Sequence, residues 1–392
     1  MHFNFVVDRM IQGRAYPALA QWSAEPYTPE WHQFGQHWPY TVPPHLYDFC
    51  VSQNIPHSFY TIDSFPPDSY YTIGLQFFDF SIDYFVLISS KVLTHIRKNQ
   101  LRVLFFYDEG DNPHLIKKRL DELCVQHNLP SDCYRFISAN TAASMLPSFV
   151  YLLSDELLYW QQNRNVGATV IHTDTRSQEF TVLSRTHKCW RATVMADLKR
   201  QGLLDNSFWS YNTNVGLNET SDDNSLNIVS QILKSDIENF LAQGPYVCDD
   251  FTSDQHNDHS LTNHIHFSDS YCSIILETHF DADNSNGTFL TEKTFKAIKH
   301  GHPFVIVGCV GSLEELKSQG YRTFDHAIDN SYDLETDSVQ RWIKIVSAIR
   351  KIQQQNMHDW FLQCLDDVRH NQQVFLQSKK DRLTQLYRKL ND

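Results

Sequence analysis

One stretch sets the terms for the whole chain. Ser273-Ile274-Ile275-Leu276 is a short apolar run, as a buried parallel strand requires. A polar loop follows it. Thr291 then offers an N-cap, and Phe295 and Ile298 fall three apart on one helical face. Gly301 and Pro303 stop that helix, and Phe304-Val305-Ile306-Val307 reads as a second buried strand. Strand, loop, helix, turn and strand make a βαβ unit. A chain built on such a unit is committed to a parallel sheet with helices on its faces.

The unit places Glu292 and Lys293 at a helix start, on the carboxyl edge of a sheet, where ligands of open α/β folds bind. A helix start carries about half a positive charge and suits a diphosphate. Lys293 adds a formal charge, and Glu292 can accept both hydroxyls of a ribose. The alternative is that both residues are only the solvated first turn of an amphipathic helix. Glu277 and Thr278 end the preceding strand at the same edge, either lining that site or serving as buried framework.

The run Thr291-Glu292-Lys293-Thr294-Phe295-Lys296, followed by Gly301-His302-Pro303-Phe304, resembles the donor-site motif of the fucosyltransferase/exostosin-like group of GT-B glycosyltransferases, especially members encoded by phages and bacteria. The resemblance covers roughly residues 180 to 333. It takes in Gly311-Ser312-Leu313-Glu314-Glu315-Leu316, which reads as the start of another helix. It implies a Glu on the ribose and a Lys on the diphosphate of a sugar nucleotide. It also implies a fold of two Rossmann-like domains facing a cleft, closed by C-terminal helices.

Length and composition agree with a chain of this kind and exclude others. The 392 residues suffice for two domains. The net charge of -13 gives no general gain from phosphate counterion release, so bulk nucleic-acid binding is disfavoured unless a local cleft is basic. The 8 Cys contain no CxxC pair, which points to reduced thiols rather than a disulfide framework or zinc ribbon. The start, Met1-His2-Phe3-Asn4-Phe5, lacks a basic, apolar leader. No run reaches the ~20 apolar residues of a membrane span. These features predict a cytoplasmic protein. Aromatic content is 13%, enough for large cores or for sugar-stacking surfaces.

In chain order, residues 1–60 are rich in Pro, Trp, Tyr and His, including Trp22, Trp31 and Trp38, and read as ordered loop with short strands. They either line an acceptor site or pack over a neighbouring core. From Tyr70 the pattern becomes α/β. Tyr84–Ser89, Arg102–Tyr107 and Arg135–Ser138 read as strands, and Lys91–Lys98 and His114–His127 as helices, the second with Leu115, Leu120, Leu123 and Cys124 on its apolar side. Asp108 and Glu109 follow a strand at a carboxyl edge, where a catalytic carboxylate would sit; an acidic turn is the alternative.

The polar stretch 161–178 marks a domain boundary. After the strand Phe180–Leu183, the cations Arg185, His187, Lys188 and Arg191 crowd the start of a helix that runs to about Gly202, with Trp190, Val194 and Leu198 facing a core. Like charges at the positive end of a helix call for a compensating anion, either a diphosphate or carboxylates from elsewhere in an acidic protein. Ile228–Leu241 reads as one amphipathic helix with Ile228, Ile232 and Ile237. His256, His259, His264 and His266 fit no standard metal spacing. Asp281-Ala282-Asp283 imitates a metal-binding pair, but it reads as a solvated turn. Ser338–Leu390 is helical, with Trp342, Ile345, Val346, Ile349 and Ile352, then Trp360, Phe361, Leu365 and Val368, at helical spacing.

The resemblance turns these readings into expectations: an acceptor-side α/β domain over 1–170, a nucleotide-sugar domain over 171–336, and C-terminal helices over 337–392. It implies transfer of a hexose or pentose from a nucleotide-diphosphate sugar to a glycan or other hydroxyl acceptor. Glu292 and Lys293 would bind the donor with Arg185, Arg191 and Lys188, and Thr291, Glu277 and Thr278 would line the site. Glu109 or Asp108 would act as base. No metal or other cofactor is expected. Two rivals remain: a phage-type sugar transferase acting on a DNA base, and a non-catalytic binding or virion-associated protein on the same fold.

Overall fold

The computed structural model describes residues 1–6, 44–60, 62–75, 78–86, 88–107, 109–163, 167, 169–184, 187–213, 226–248, 263–280 and 287–391. Asp108, Arg185, Trp22, Trp31, Trp38, His256, His259, Asp281, Ala282 and Asp283 lie outside the described residues. The chain forms two compact units, Met1–Gln161 with Ser378–Asp392, and Gln162–Gln377. Both are α/β, and every strand pairing within their sheets is parallel.

The described strands of the first unit are β1 (Phe3–Val6), β2 (His57–Tyr60), β3 (Tyr70–Leu75), β4 (Arg102–Tyr107), β5 (Tyr134–Ser138) and β6 (Phe149–Tyr151), in the sheet order β2-β1-β3-β4-β5-β6. Its helices are α1 (Pro44–Ser52), α2 (Ser90–Arg97), α3 (Pro113–Gln126) and α4 (Ser154–Asn163). In β4, Val103, Phe105 and Tyr107 enter one core and Leu104 and Phe106 the other, the two-sided burial that a parallel sheet demands. The second core is completed by α13 (Lys380–Asn391), whose Leu383, Leu386 and Leu390 pack beside Phe3, Phe5 and Phe106.

Two sequence expectations fail here. Tyr84–Val86 is a run of turns, not a strand. The Asp83 carboxylate accepts from the amides of Phe85 and Val86 and bends the chain, while Tyr84 and Phe85 are still buried in the core. In α3 the buried partner of Leu120 and Leu123 is Ile116; Leu115 is exposed.

The second unit holds β7 (Gln178–Ser184), β8 (Ser207–Tyr211), β9 (Ser270–Leu276) and β10 (Phe304–Val307), in the order β10-β9-β7-β8. α5 (Cys189–Arg200) joins β7 to β8, and α9 (Glu292–Lys299) joins β9 to β10. Between β8 and β9 lie α6 (Asn227–Ile232), α7 (Lys234–Gln243) and α8 (His264–Ser268). The single helix expected over Ile228–Leu241 is broken at Leu233, and Ile228 and Ile232 are exposed. The buried stripe is Leu226, Leu233 and Phe240, seven residues apart. After β10 come α10 (Ser312–Ser318), α11 (Ser338–Gln353) and α12 (Met357–Leu376). Trp342, Ile345, Val346, Ile349, Ile352, Trp360, Phe361 and Val368 are all buried, as their spacing predicts, but Leu365 is only half-buried and Cys364 takes its place.

Both sheets are wound in two directions. In the first unit β1 connects outward to β2, and β3 begins the run to β6 on the other side. In the second, β7 connects to β8 on one flank and β9 to β10 on the other. Right-handed crossovers leaving adjacent strands in opposite directions put their helices on opposite faces. Accordingly α5 packs on α6 and α7, and α9 on α12. The carboxyl ends of β7 and β9 are therefore the point at which the winding reverses, the position where ligands bind in doubly wound sheets. Among the described residues, no helix is long and apolar enough to cross a membrane.

Candidate functional site

The site is built where β9 ends and two helices begin. Thr291 is the N-cap of α9, as its sequence position predicts, and its hydroxyl lies 3.4 Å from the Lys293 amide. Phe295, Ala297 and Ile298 bury the inner face of the helix. Gly301, at φ +70°, closes it in the left-handed conformation that a side chain resists, and an added Cβ there would lie 2.7 Å from Ile171. The helix is thus pinned at both ends, at Thr291 and at Gly301.

Glu277 follows the last residue of β9 and is fully buried. Its carboxylate accepts from the Thr291 amide at 3.2 and 3.3 Å, from the Thr291 hydroxyl at 2.6 Å and from the Thr294 hydroxyl at 2.6 Å. The positive end of α9 is therefore already compensated by the protein's own anion. Lys293 Nζ lies 3.0 Å from the Thr291 hydroxyl and 3.5 Å from a Glu292 carboxylate oxygen. The side chains of Glu292 and Lys293 keep 17% and 28% exposure, so they are the solvent-accessible tip of this arrangement.

The second helix start is different in kind. Lys188, the cap residue of α5, is extended, and its side chain makes no capping hydrogen bond to the helix. Lys188 Nζ donates to the Thr278 carbonyl at 2.8 Å. Arg191 is buried and donates to the carbonyls of Glu277, at 2.5 and 3.2 Å, and Leu276, at 3.4 Å. These cations tie the end of β9 to the start of α5. His187 is buried against Tyr211, whose hydroxyl lies 2.7 Å from Nδ1, and burial lowers its pKa from the ordinary histidine value. It therefore adds no charge at neutral pH.

Lys188, Arg191, Glu277, Thr278, Thr291, Glu292 and Lys293 thus gather around one strand end in the second unit. Glu109 belongs to the first unit, half-buried after β4, in a loop fixed by Asn140 Nδ2 donating to the Gly110 carbonyl at 2.9 Å and by Tyr107 donating to Asp111 at 2.5 Å.

Sequence reasoning missed two groups. The Ser184 hydroxyl, at the end of β7, and the Trp190 indole N–H, in the first turn of α5, are buried and have no hydrogen-bond partner among the described residues. Orphaned buried donors are uncommon and call for an explanation. A hydroxyl closing a strand at a carboxyl edge is the signal that could have marked Ser184; Trp190 reads in sequence only as core. Of the four histidines considered above, His264 and His266 lie in α8, and His266 is buried. Among the described residues, no three His, Cys, Asp or Glu side chains could together hold a metal ion.

No family model matches the chain, and no curated protein matches it. Two solved structures align over nearly its whole length. T4 phage BGT in complex with UDP and Mn2+ shares 8% identity, with 97% of this chain and 99% of that chain covered and a TM-score of 0.32. A point mutant of T4 phage BGT in complex with UDP-glucose shares 9% identity over the same coverage, with the same TM-score of 0.32. A superposition this loose fixes neither fold family nor activity.

Proposed function

We propose that the chain is a GT-B-type glycosyltransferase that moves a sugar from a nucleoside-diphosphate donor to a hydroxyl acceptor. The observation that carries this reading is that two helix starts, those of α9 and α5, meet at the carboxyl end of β9, beside the point where the winding of the sheet reverses. One helix start, that of α9, is closed by Glu277 and presents Glu292 and Lys293. The other, that of α5, is not capped by the Lys188 side chain, and beside it the Ser184 hydroxyl and the Trp190 indole N–H have no hydrogen-bond partner among the described residues.

In this reading the diphosphate lies toward the α5 start, within the field of Lys188 and Arg191, with Arg185 as a further cation. Lys293 reaches it from the α9 side. Glu292 accepts the ribose hydroxyls. Thr291, Glu277 and Thr278 form the wall behind them. When the acceptor oxygen attacks the anomeric carbon, the bond to the diphosphate oxygen breaks and negative charge grows on the leaving group. Fixed cations and helix-start amides stabilise that charge more than they stabilise the ground state. Side-chain cations supply this neutralisation, with no metal or other cofactor. Glu109, or Asp108, takes the acceptor proton.

The test is a thermal-shift and calorimetric panel of ADP, CDP, GDP and UDP, and of their sugars, on the parent and on Glu292→Ala and Lys293→Ala. Loss of one charged hydrogen bond costs about 1.5–3 kcal/mol, roughly a tenfold to hundredfold loss of affinity. Glu109→Ala should keep donor binding and lose transfer to glycan or hydroxymethylated-DNA acceptors. Full binding by both Glu292→Ala and Lys293→Ala would overturn the site assignment.

A further inference from the structure

The hydrogen bonds around Glu277 have a fixed direction. A lysine ammonium can only donate, so Lys293 gives a proton to the Thr291 hydroxyl across 3.0 Å. Thr291 is then left to donate its own proton to the Glu277 carboxylate, which lies 2.6 Å away. Thr294 donates to the other carboxylate oxygen at 2.6 Å, and the Thr291 amide reaches both oxygens. A buried anion is thereby linked through one hydroxyl to a partly exposed cation. The backbone beneath Glu277 is held in turn by Arg191, which donates to its carbonyl.

We infer that Glu277 is a positioning residue rather than a ligand. Both of its oxygens are occupied inside the protein, and it sets the first turn of α9 and, through Thr291, the aim of the Lys293 ammonium. This deepens the proposed function and rests on it. A nucleoside diphosphate would then meet α9 through the Lys293 and Glu292 side chains, not through the amide of Thr291, which Glu277 covers.

The experiment uses the full chain and the member of the ADP, CDP, GDP and UDP panel that binds the parent most tightly. Affinity is read by calorimetry, and the first turn of α9 by amide hydrogen exchange. Thr291→Val and Glu277→Gln should each weaken binding about five- to tenfold, the scale of a lost helix cap, and speed exchange at Lys293 and Thr294. Thr291→Ser keeps the hydroxyl and should restore most of the affinity. In a Lys293→Ala background, Glu277→Gln should add a smaller loss of affinity than in the parent, because the part of its effect that passes through Lys293 is already gone. Parent-like affinity and exchange in Thr291→Val, a Thr291→Ser as weak as Thr291→Val, or a full additional loss in the Lys293→Ala background would each overturn the proposal. If one variant fails to fold, Thr294→Ala removes a single donor to Glu277, and unchanged exchange in it is again a refutation. Should the parent bind none of the four nucleotides, the functional reading falls, and the exchange arm still decides whether Glu277 sets α9.

Discussion

The Arg191 guanidinium grips the main-chain carbonyl of Glu277, at 2.5 Å from Nη2 and 3.2 Å from Nε, and the Glu277 carboxylate turns instead to the threonines of α9. The two residues share a position without forming a side-chain ion pair. The forked cation braces the end of a strand, and the carboxylate braces the start of a helix. The acidic end of β9 thus serves two faces of the sheet at once.

Arg191→Ala should destabilise the second unit by about 1–3 kcal/mol for each carbonyl left buried and unpaired. Arg191→Lys should recover only part of this, since an ammonium lacks the planar fork. Urea unfolding followed by tryptophan fluorescence measures both. A variant that unfolds with the parent but no longer binds nucleotide would show that the guanidinium is a ligand and not a brace.

Stability should fall in mild acid. His302 is buried between Ser273, whose hydroxyl lies 2.8 Å from Nδ1, and the Ser270 carbonyl, 2.5 Å from Nε2. Burial, then the neighbouring Arg176 charge, holds its pKa well below the ordinary 6.5. His300 is pushed down to about 3 by burial and by Lys299, His264 and Lys296. Both pKa values are depressed on folding, so the unfolded chain binds the protons first as pH falls. The stability is therefore complete above about 6.5 and is lost as pH falls below it, by about 1.4 kcal/mol per pH unit for each histidine, for His300 down to about 3. Urea midpoints at a series of pH values from neutral down into mild acid measure the slope. His300→Gln and His302→Gln should each flatten it; an unchanged slope in both would refute the assignment.

The last helix is held to the first unit by a buried charge cluster. Glu156 is fully buried, with Lys379 Nζ 2.8 Å from one carboxylate oxygen and Arg382 against the other. Gln53 accepts from the Ser378 hydroxyl and the Lys379 amide at 3.0 and 3.1 Å. Glu156→Ala strands two cations and should cost about 3–5 kcal/mol, with proteolytic cutting appearing near residues 377–379. The triple change Glu156→Leu, Lys379→Met, Arg382→Leu should fold about as well as the parent. A triple variant as fragile as Glu156→Ala would show that the ionic contacts themselves are required.

The central βαβ unit is legible because local and tertiary signals agree there. Thr291 caps, Phe295 and Ile298 bury one face, Gly301 closes the helix, and Phe304–Val307 pairs in parallel with β9. Tyr84–Val86 misleads because apolar content reports burial, not pairing. Asp83 supplies local hydrogen bonds that a strand would have taken from a neighbour. The α6–α7 region misleads because two stripes compete, and packing chooses Leu226, Leu233 and Phe240 over the isoleucines. At the candidate site, residue types and edge are readable from spacing, but hydrogen-bond direction is not. Nothing in the sequence shows that Glu277 would reach fourteen residues on to Thr291, or that Arg191 would choose a carbonyl.

The first unit is made from both ends of the chain, and α13 supplies Leu383, Leu386 and Leu390 to its core, with the Tyr70 hydroxyl donating to the Leu390 carbonyl at 2.6 Å. During synthesis that half cannot seal when its strands emerge. It must wait, with part of one face uncovered, until all of the second unit has been translated. A nascent chain of this design has a long interval in which a chaperone, or a neighbouring copy, can reach the apolar side of β1.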